Sequence, residues 1–295
     1  MSDLRARAIQ IYDRFTHEHR DRRQMLREMA LLAGSAAAAE GLVAAIAASP
    51  AAAQQIDPSD ARLITRKGGF NIGGGQMLTG YFAAPRPSLG KPGRKVGAVI
   101  VVHENRGLTR HIEDVARRVA LGGYFAVAPD FLTTQGGTPA DEDRARDLIG
   151  TLDYDQALAG GVATIARLSR LANGTGKVGA VGFCWGGGYV NRLAVAAGGA
   201  LAAAVPYYGP APDPSEAGKV EAAMLLQLAG NDARVNATAQ PWGAALKAAG
   251  KQVEVATYPG VEHAFNNDTS AERYDAGAAK LAWERTMALF ARTLA

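Results

Sequence analysis

Gly182-Phe183-Cys184-Trp185-Gly186 is a G-x-C-x-G sequence. It stands between a run that reads as a strand, Lys177–Phe183, and one that reads as a helix, Gly186–Ala197. A nucleophile on such a strand–turn–helix elbow is pushed out of the chain at a tight turn. Glycines on both sides let the two backbones approach. The sulfur then sits at a helix N-terminus, where the amide dipoles favour the thiolate, the reactive form. The competing reading is a buried structural thiol, because cysteine is often fully buried.

A thiolate nucleophile needs a base and an acid that orients the base. On elbows of this kind both follow the nucleophile along the chain, acid before histidine. Asp232, in Ala229-Gly230-Asn231-Asp232, comes just after the strand-like Met224–Ala229. His263 comes just after Val253–Tyr258. Of the five histidines, His17, His19, His103, His111 and His263, only His263 meets both order and place. Asp232 could instead be a turn or helix-cap residue, and His263 a surface loop residue. Asp268 is the other candidate acid, but it follows the histidine.

A further group follows the first long strand: His103-Glu104-Asn105-Arg106-Gly107. The loop at this point supplies one backbone N–H of an oxyanion hole, here assigned to Asn105. The residue after the nucleophile, Trp185, supplies the other. Arg106 is a candidate for holding a substrate anion, with an ion pair or a solvated face as its alternative. His103 and Glu104 are adjacent on a strand end and point to opposite faces, so they do not suggest a metal site. No metal or organic cofactor is expected.

These residues need a scaffold. The chain has 295 residues, 48% hydrophobic and 20% charged, with a net charge of +4. That excludes a disordered chain, and the mixed charge is no nucleic-acid footprint. The lone cysteine excludes an internal disulfide. No uncharged apolar run is long enough for a stable membrane span. From Arg62 the pattern alternates strand and helix. A hairpin is expected over Arg62–Ala83 around Gly73-Gly74-Gly75, then a Pro/Gly turn at Pro85–Gly93. Further strands are expected at Val96–Val102, Tyr124–Ala128 and Leu201–Tyr207. Helices are expected at His111–Leu121, Thr138–Gly150, Tyr154–Leu171, Ala237–Ala249 and Ala271–Leu294. Such alternation implies an α/β fold, a mostly parallel central sheet with helices on both faces. Ligands bind at the carboxyl ends of such strands, where Cys184, Asp232 and His263 all fall.

Residues 1–55 differ from the 56–295 domain. Residues 1–28 are polar, basic and helix-like, and Met29 to Ala48 is apolar, though Glu40 lies within it. Asp21-Arg22-Arg23-Gln24-Met25-Leu26-Arg27 resembles a twin-arginine export signal, and Ala51 and Ala53 suit a signal peptidase. Export to the periplasm or outside the cell, with the export machinery as partner, is therefore expected. The alternative is a retained helix packed on the domain in a cytoplasmic protein.

Together the motifs resemble the dienelactone hydrolase (carboxymethylenebutenolidase) family of α/β hydrolases. The resemblance runs from about Arg62 to the C-terminus. It is carried by His103–Gly107, Ala128-Pro129-Asp130, Gly182–Gly187, G-x-D-x-x-V at Gly230–Val235 and Y-P-G-x-x-H-x-F at Tyr258–Phe265. It implies an α/β-hydrolase fold and a Cys184–His263–Asp232 triad acting on a small ester or lactone. It also implies that Glu104 hydrogen-bonds the resting thiol and helps deprotonate it. Members that open dienelactones hold the substrate carboxylate with arginines, one close after the histidine; here Asn266-Asn267 stand there. The dienelactone substrate is therefore not implied as firmly as the hydrolase class. An acyltransferase on the same scaffold and a non-catalytic binding protein are the alternatives. A narrow range of activated esters is expected.

Overall fold

The computed structural model describes residues 2–18, 20–47, 55–73, 75–86 and 95–295. His19, Ala51, Ala53, Gly74 of the expected hairpin and residues 87–93 of the expected turn lie outside the described residues.

Eight strands form one sheet: β1 (Leu63–Gly73), β2 (Gln76–Pro85), β3 (Val96–Val102), β4 (Phe125–Asp130), β5 (Gly174–Phe183), β6 (Ala203–Tyr207), β7 (Ala223–Ala229) and β8 (Val253–Tyr258). Their order is β1-β2-β4-β3-β5-β6-β7-β8. The β1–β2 hairpin is antiparallel and joins β4 antiparallel; β4 to β8 run parallel. β3 shows why the β-branched run had to be central. Val99 and Val101 enter one core with Val115 and Phe290, while Ile100 and Val102 enter the other with Ile165 and Trp242. A strand whose alternate side chains all face apolar layers can only be stable when covered on both sides.

The covering helices are α4 (Arg110–Leu121), α5 (Glu142–Gly150), α6 (Tyr154–Leu168), α7 (Trp185–Ala197), α8 (Ala233–Ala248) and α9 (Ala276–Thr293). Three start away from their expected positions, each because a side chain caps the backbone. α8 begins four residues early, since Asp232 accepts from Val235 N. α5 begins late: Asp130 holds Thr138 N and its hydroxyl, and Asp141 caps the helix instead. α9 begins at Ala276, capped by Asp275. The residues before it fold into turns, with Asn267 N on Ala264 O and Ser270 N on Asn267 O.

The N-terminal segment forms α1 (Ser2–His17), α2 (Arg22–Ala33) and α3 (Ala36–Ile46). The expected continuous apolar stretch is broken at Gly34, which ends α2 at φ 81°, while Ser35 caps α3. Among the described residues no single helix is long and apolar enough to cross a membrane; α2 and α3 pass that test only jointly and are bent by 109°. The three helices share a small core of their own, including Ile9, Tyr12, Phe15, Met25, Met29 and Ile46.

Candidate active site

β5 turns into α7 at Cys184. Cys184 adopts φ 56° and ψ −113°, a conformation L-residues rarely accept. The flanking glycines are a steric requirement. A Cβ on Gly182 would lie 2.2 Å from Gly186 O, and one on Gly186 would lie 2.4 Å from His103 O. Cys184 N donates to Tyr207 O at 3.0 Å, which ties the elbow to β6. Among the described residues, the non-glycine positions with positive φ are Cys184, Tyr208 and Ala264. All three lie at this one place, the ring of Tyr208 5.0 Å from that of His263. Strain concentrated this way persists only where the surrounding structure enforces it.

His263 follows β8, and its Nδ1 donates to Asp232 Oδ2 at 2.5 Å. The other Asp232 oxygen accepts from Val235 N at 3.1 Å, so one carboxylate both caps α8 and holds the imidazole. Both side chains are buried. Burial opposes charge on His263, but the charges of Asp232 and Cys184 outweigh it and push the pKa up to about 10. Asp232, although burial raises its pKa, ends below the usual carboxylate value because His263 pairs with it. An unfolded histidine titrates near ~6.5. Stability from the pair is therefore complete below that pH and lost as pH rises through about 10. Unfolding of wild type and His263→Gln in denaturant, from pH 6 to 10, is expected to show the wild-type advantage shrinking across that window. An advantage independent of pH would contradict the ion pair.

The loop after β3 closes the site. Buried His103 is consumed structurally: Nδ1 bonds Glu104 O at 2.7 Å, Nε2 accepts from Phe131 N at 3.3 Å, and the ring stacks on Trp185. Trp185 is the first residue of α7, so its amide has no partner within the helix. Glu104 lines the cavity, but the expected hydrogen bond from the resting thiol is not made among the described residues. Asn267 Nδ2 donates to the carboxylate instead, at 2.7 Å. The Asn105 side chain donates to Thr16 O at 2.9 Å. Arg106 also lines the cavity, with its guanidinium engaged by Glu142 O, Asp143 and the Tyr12 hydroxyl. Asp268 lies away from the thiol, paired with His111 and Arg118.

Several neighbours were not anticipated from sequence. His17 places both ring nitrogens 4.0 Å from Cys184 Sγ, with its ring 4.8 Å from that of His263. Burial, then the charge of His263, pushes the His17 pKa well below its ordinary value, so the ring is neutral. The ligand-capable atoms of His17, Cys184 and His263 lie within 4.8 Å of one another. This is looser than the ~3.5 Å sulfur–nitrogen separation of a tetrahedral zinc site. Arg273 reaches the same cavity, bonded to Ser270 and Asp13. The Tyr208 hydroxyl is buried and has no hydrogen-bond partner among the described residues. The signal available for α1 is the spacing of Ala8, Ile9, Tyr12 and Phe15, which marks a buried helix face. Nothing in the sequence marked Arg273.

The cavity over Cys184 has room of about 30 Å³. A larger hollow of about 760 Å³, lined by Arg118, Trp283 and Met287, does not include Cys184 or His263.

The profile of the Dienelactone hydrolase family matches residues 78–294. A putative carboxymethylenebutenolidase of Escherichia coli K12 is 30% identical over 260 residues, 83% of this chain and 93% of that one. Another, from Methylorubrum extorquens, is 31% identical over 262 residues, 82% of this chain and 86% of its own. The crystal structure of a putative dienelactone hydrolase from Klebsiella pneumoniae superposes with TM-score 0.69 at 29% identity. That match covers 99% of the Klebsiella chain but 78% of this one, so this chain carries sequence beyond the shared body.

Proposed function

This chain belongs to the dienelactone hydrolase family and is a hydrolase of carboxylic ester or lactone bonds, and we propose that it works through Cys184, His263 and Asp232. The observation that carries this reading is the strained Cys184 elbow beside a buried, Asp232-held histidine. The thiolate adds to the substrate carbonyl, forming a carbon–sulfur bond and an oxyanion. The amides of Asn105 and Trp185 receive the oxyanion, each such donor being worth about 3 kcal/mol of barrier. The oxyanion collapses, the carbon–oxygen bond breaks, and the leaving alkoxide takes the proton from His263. His263, now neutral, removes a proton from water as the water attacks the thioester. Collapse of that second intermediate expels the thiolate and releases the acid. Asp232 keeps the imidazole oriented and stabilises its charged form throughout.

The substrate is read from the charges around the thiol. Arg106 and Arg273 both reach the cavity, yet each faces a carboxylate, Asp143 and Asp13 respectively. No arginine stands at Asn266 or Asn267. A small, neutral, activated ester therefore suits the site better than a carboxylate-bearing lactone. Turnover of p-nitrophenyl acetate and of a dienelactone, with and without iodoacetamide, tests both points. The acetate is expected to give the higher kcat/KM, and alkylation to abolish both activities. With a single cysteine in the chain, activity that survives complete alkylation rules out the thiol mechanism.

For residues 1–47, the contacts of α1 with the site support retention rather than removal. The competing reading, export through the Asp21–Arg27 signal, requires a mature mass lacking roughly the first 53 residues. Intact mass of the protein from fractionated cells separates them.

A further inference from the structure

We infer that His17 sets the acyl specificity of this enzyme: α1 is a wall of the catalytic pocket, and the His17 imidazole fills the space a larger acyl chain would need. The inference rests on Cys184 being the nucleophile.

The geometry is steric. A carbonyl carbon must come within ~3–3.5 Å of the sulfur to be attacked. Both nitrogens of His17 already lie 4.0 Å from Sγ, and the free room is about 30 Å³, space for about two waters. Any acyl group must therefore share this volume with the imidazole or displace it. A small acyl group needs little displacement; a long one needs the ring gone.

The wall is built to stay in place. The α1 C-terminus is held by the Asn105 side chain on Thr16 O, at the loop assigned to the oxyanion hole. Arg273 reaches Asp13 at 3.4 Å, and the Arg146 guanidinium lies 4.2 Å above the Phe15 ring. The other end of the segment is fixed where Ser270 donates to Ile46 O at 2.6 Å. His17 is therefore placed by anchors on both sides of the site, and its freedom is mainly rotation of its own side chain. It makes no hydrogen bond to Asp232, so it is not a second triad histidine; its effect comes from the volume of its ring.

The test uses the full chain and p-nitrophenyl acetate, butyrate and octanoate, with wild type, His17→Ala and His17→Phe. The octanoate-to-acetate ratio of kcat/KM is expected to rise at least tenfold in His17→Ala. It is expected to stay within threefold of wild type in His17→Phe, which keeps a ring of similar size without nitrogens. An unchanged ratio in His17→Ala overturns the inference. So does an acyl-enzyme that accumulates in both variants, because that would assign His17 a proton-transfer role. Should His17→Ala lose solubility, His17→Asn, which also shortens the side chain, is expected to raise the ratio by a smaller factor. An iodoacetamide control on each protein keeps the premise separate: activity that survives alkylation indicts Cys184, whatever the ratios.

Discussion

Replacing Cys184 by serine is expected to lower kcat for p-nitrophenyl acetate by at least ~10³-fold while leaving the chain folded. The size of the loss follows from what surrounds the sulfur. The elbow, the neighbouring Asn105 and Trp185 amides and the His263–Asp232 pair all survive the substitution, so binding and oxyanion stabilisation remain. What disappears is a thiol, the more acidic and more nucleophilic group, beside a positively charged histidine. A serine hydroxyl remains neutral there and must surrender its proton during attack. The side chain is nearly isosteric and 6% exposed, so little packing changes. Far-ultraviolet circular dichroism and the thermal midpoint should match wild type within a few degrees. Serine activity within tenfold of wild type would show that a hydroxyl serves the elbow equally well, and the thiolate argument would fall.

The sheet and the elbow were legible because their causes are local. A β-branched run such as Val96–Val102 has few stable placements other than the centre of a covered parallel sheet. Gly182 and Gly186 mark a close backbone approach in the sequence itself, and Cys184, Asp232 and His263 each follow a strand-like run, which places all three at one end of the sheet. The helix starts were less legible, because a single carboxylate competing for backbone N–H groups moves a boundary by several residues. Asp232, Asp141 and Asp275 each did so. Least legible was α1. Its sequence reads as the leading part of an export signal, with a retained amphipathic helix as the alternative, and nothing in the order of residues states that position 17 meets position 184. That contact is tertiary, made through Asn105, Arg273 and Arg146, which sequence spacing could not pair with α1. Asn267 was visible only as a departure, where an arginine was missing; its hydrogen bond to Glu104 required the turn geometry of residues 264–270.

Asp232→Asn separates the two duties of one side chain. As the cap of α8, asparagine is nearly as good as aspartate, so the bond to Val235 N can be kept and the helix should lose little stability. As the partner of His263, asparagine has no charge with which to hold an imidazolium. Without that charge the His263 pKa falls from about 10 towards the ordinary ~6.5. The charged fraction of His263 at pH 8 would then drop, and Cys184 would lose its nearest positive partner. Two measurements should move together. The rate of Cys184 alkylation by iodoacetamide at pH 8 should fall, and kcat should fall by roughly 10³–10⁴-fold, the cost of mis-set orientation and charge in triads of this type. Asp232→Ala should match that kinetic loss and add about 1 kcal/mol of destabilisation from the missing cap. If asparagine were instead to retain wild-type turnover while alanine unfolded the chain, Asp232 would be a cap alone. The charge that keeps His263 protonated would then have to come from Cys184, which also raises its pKa.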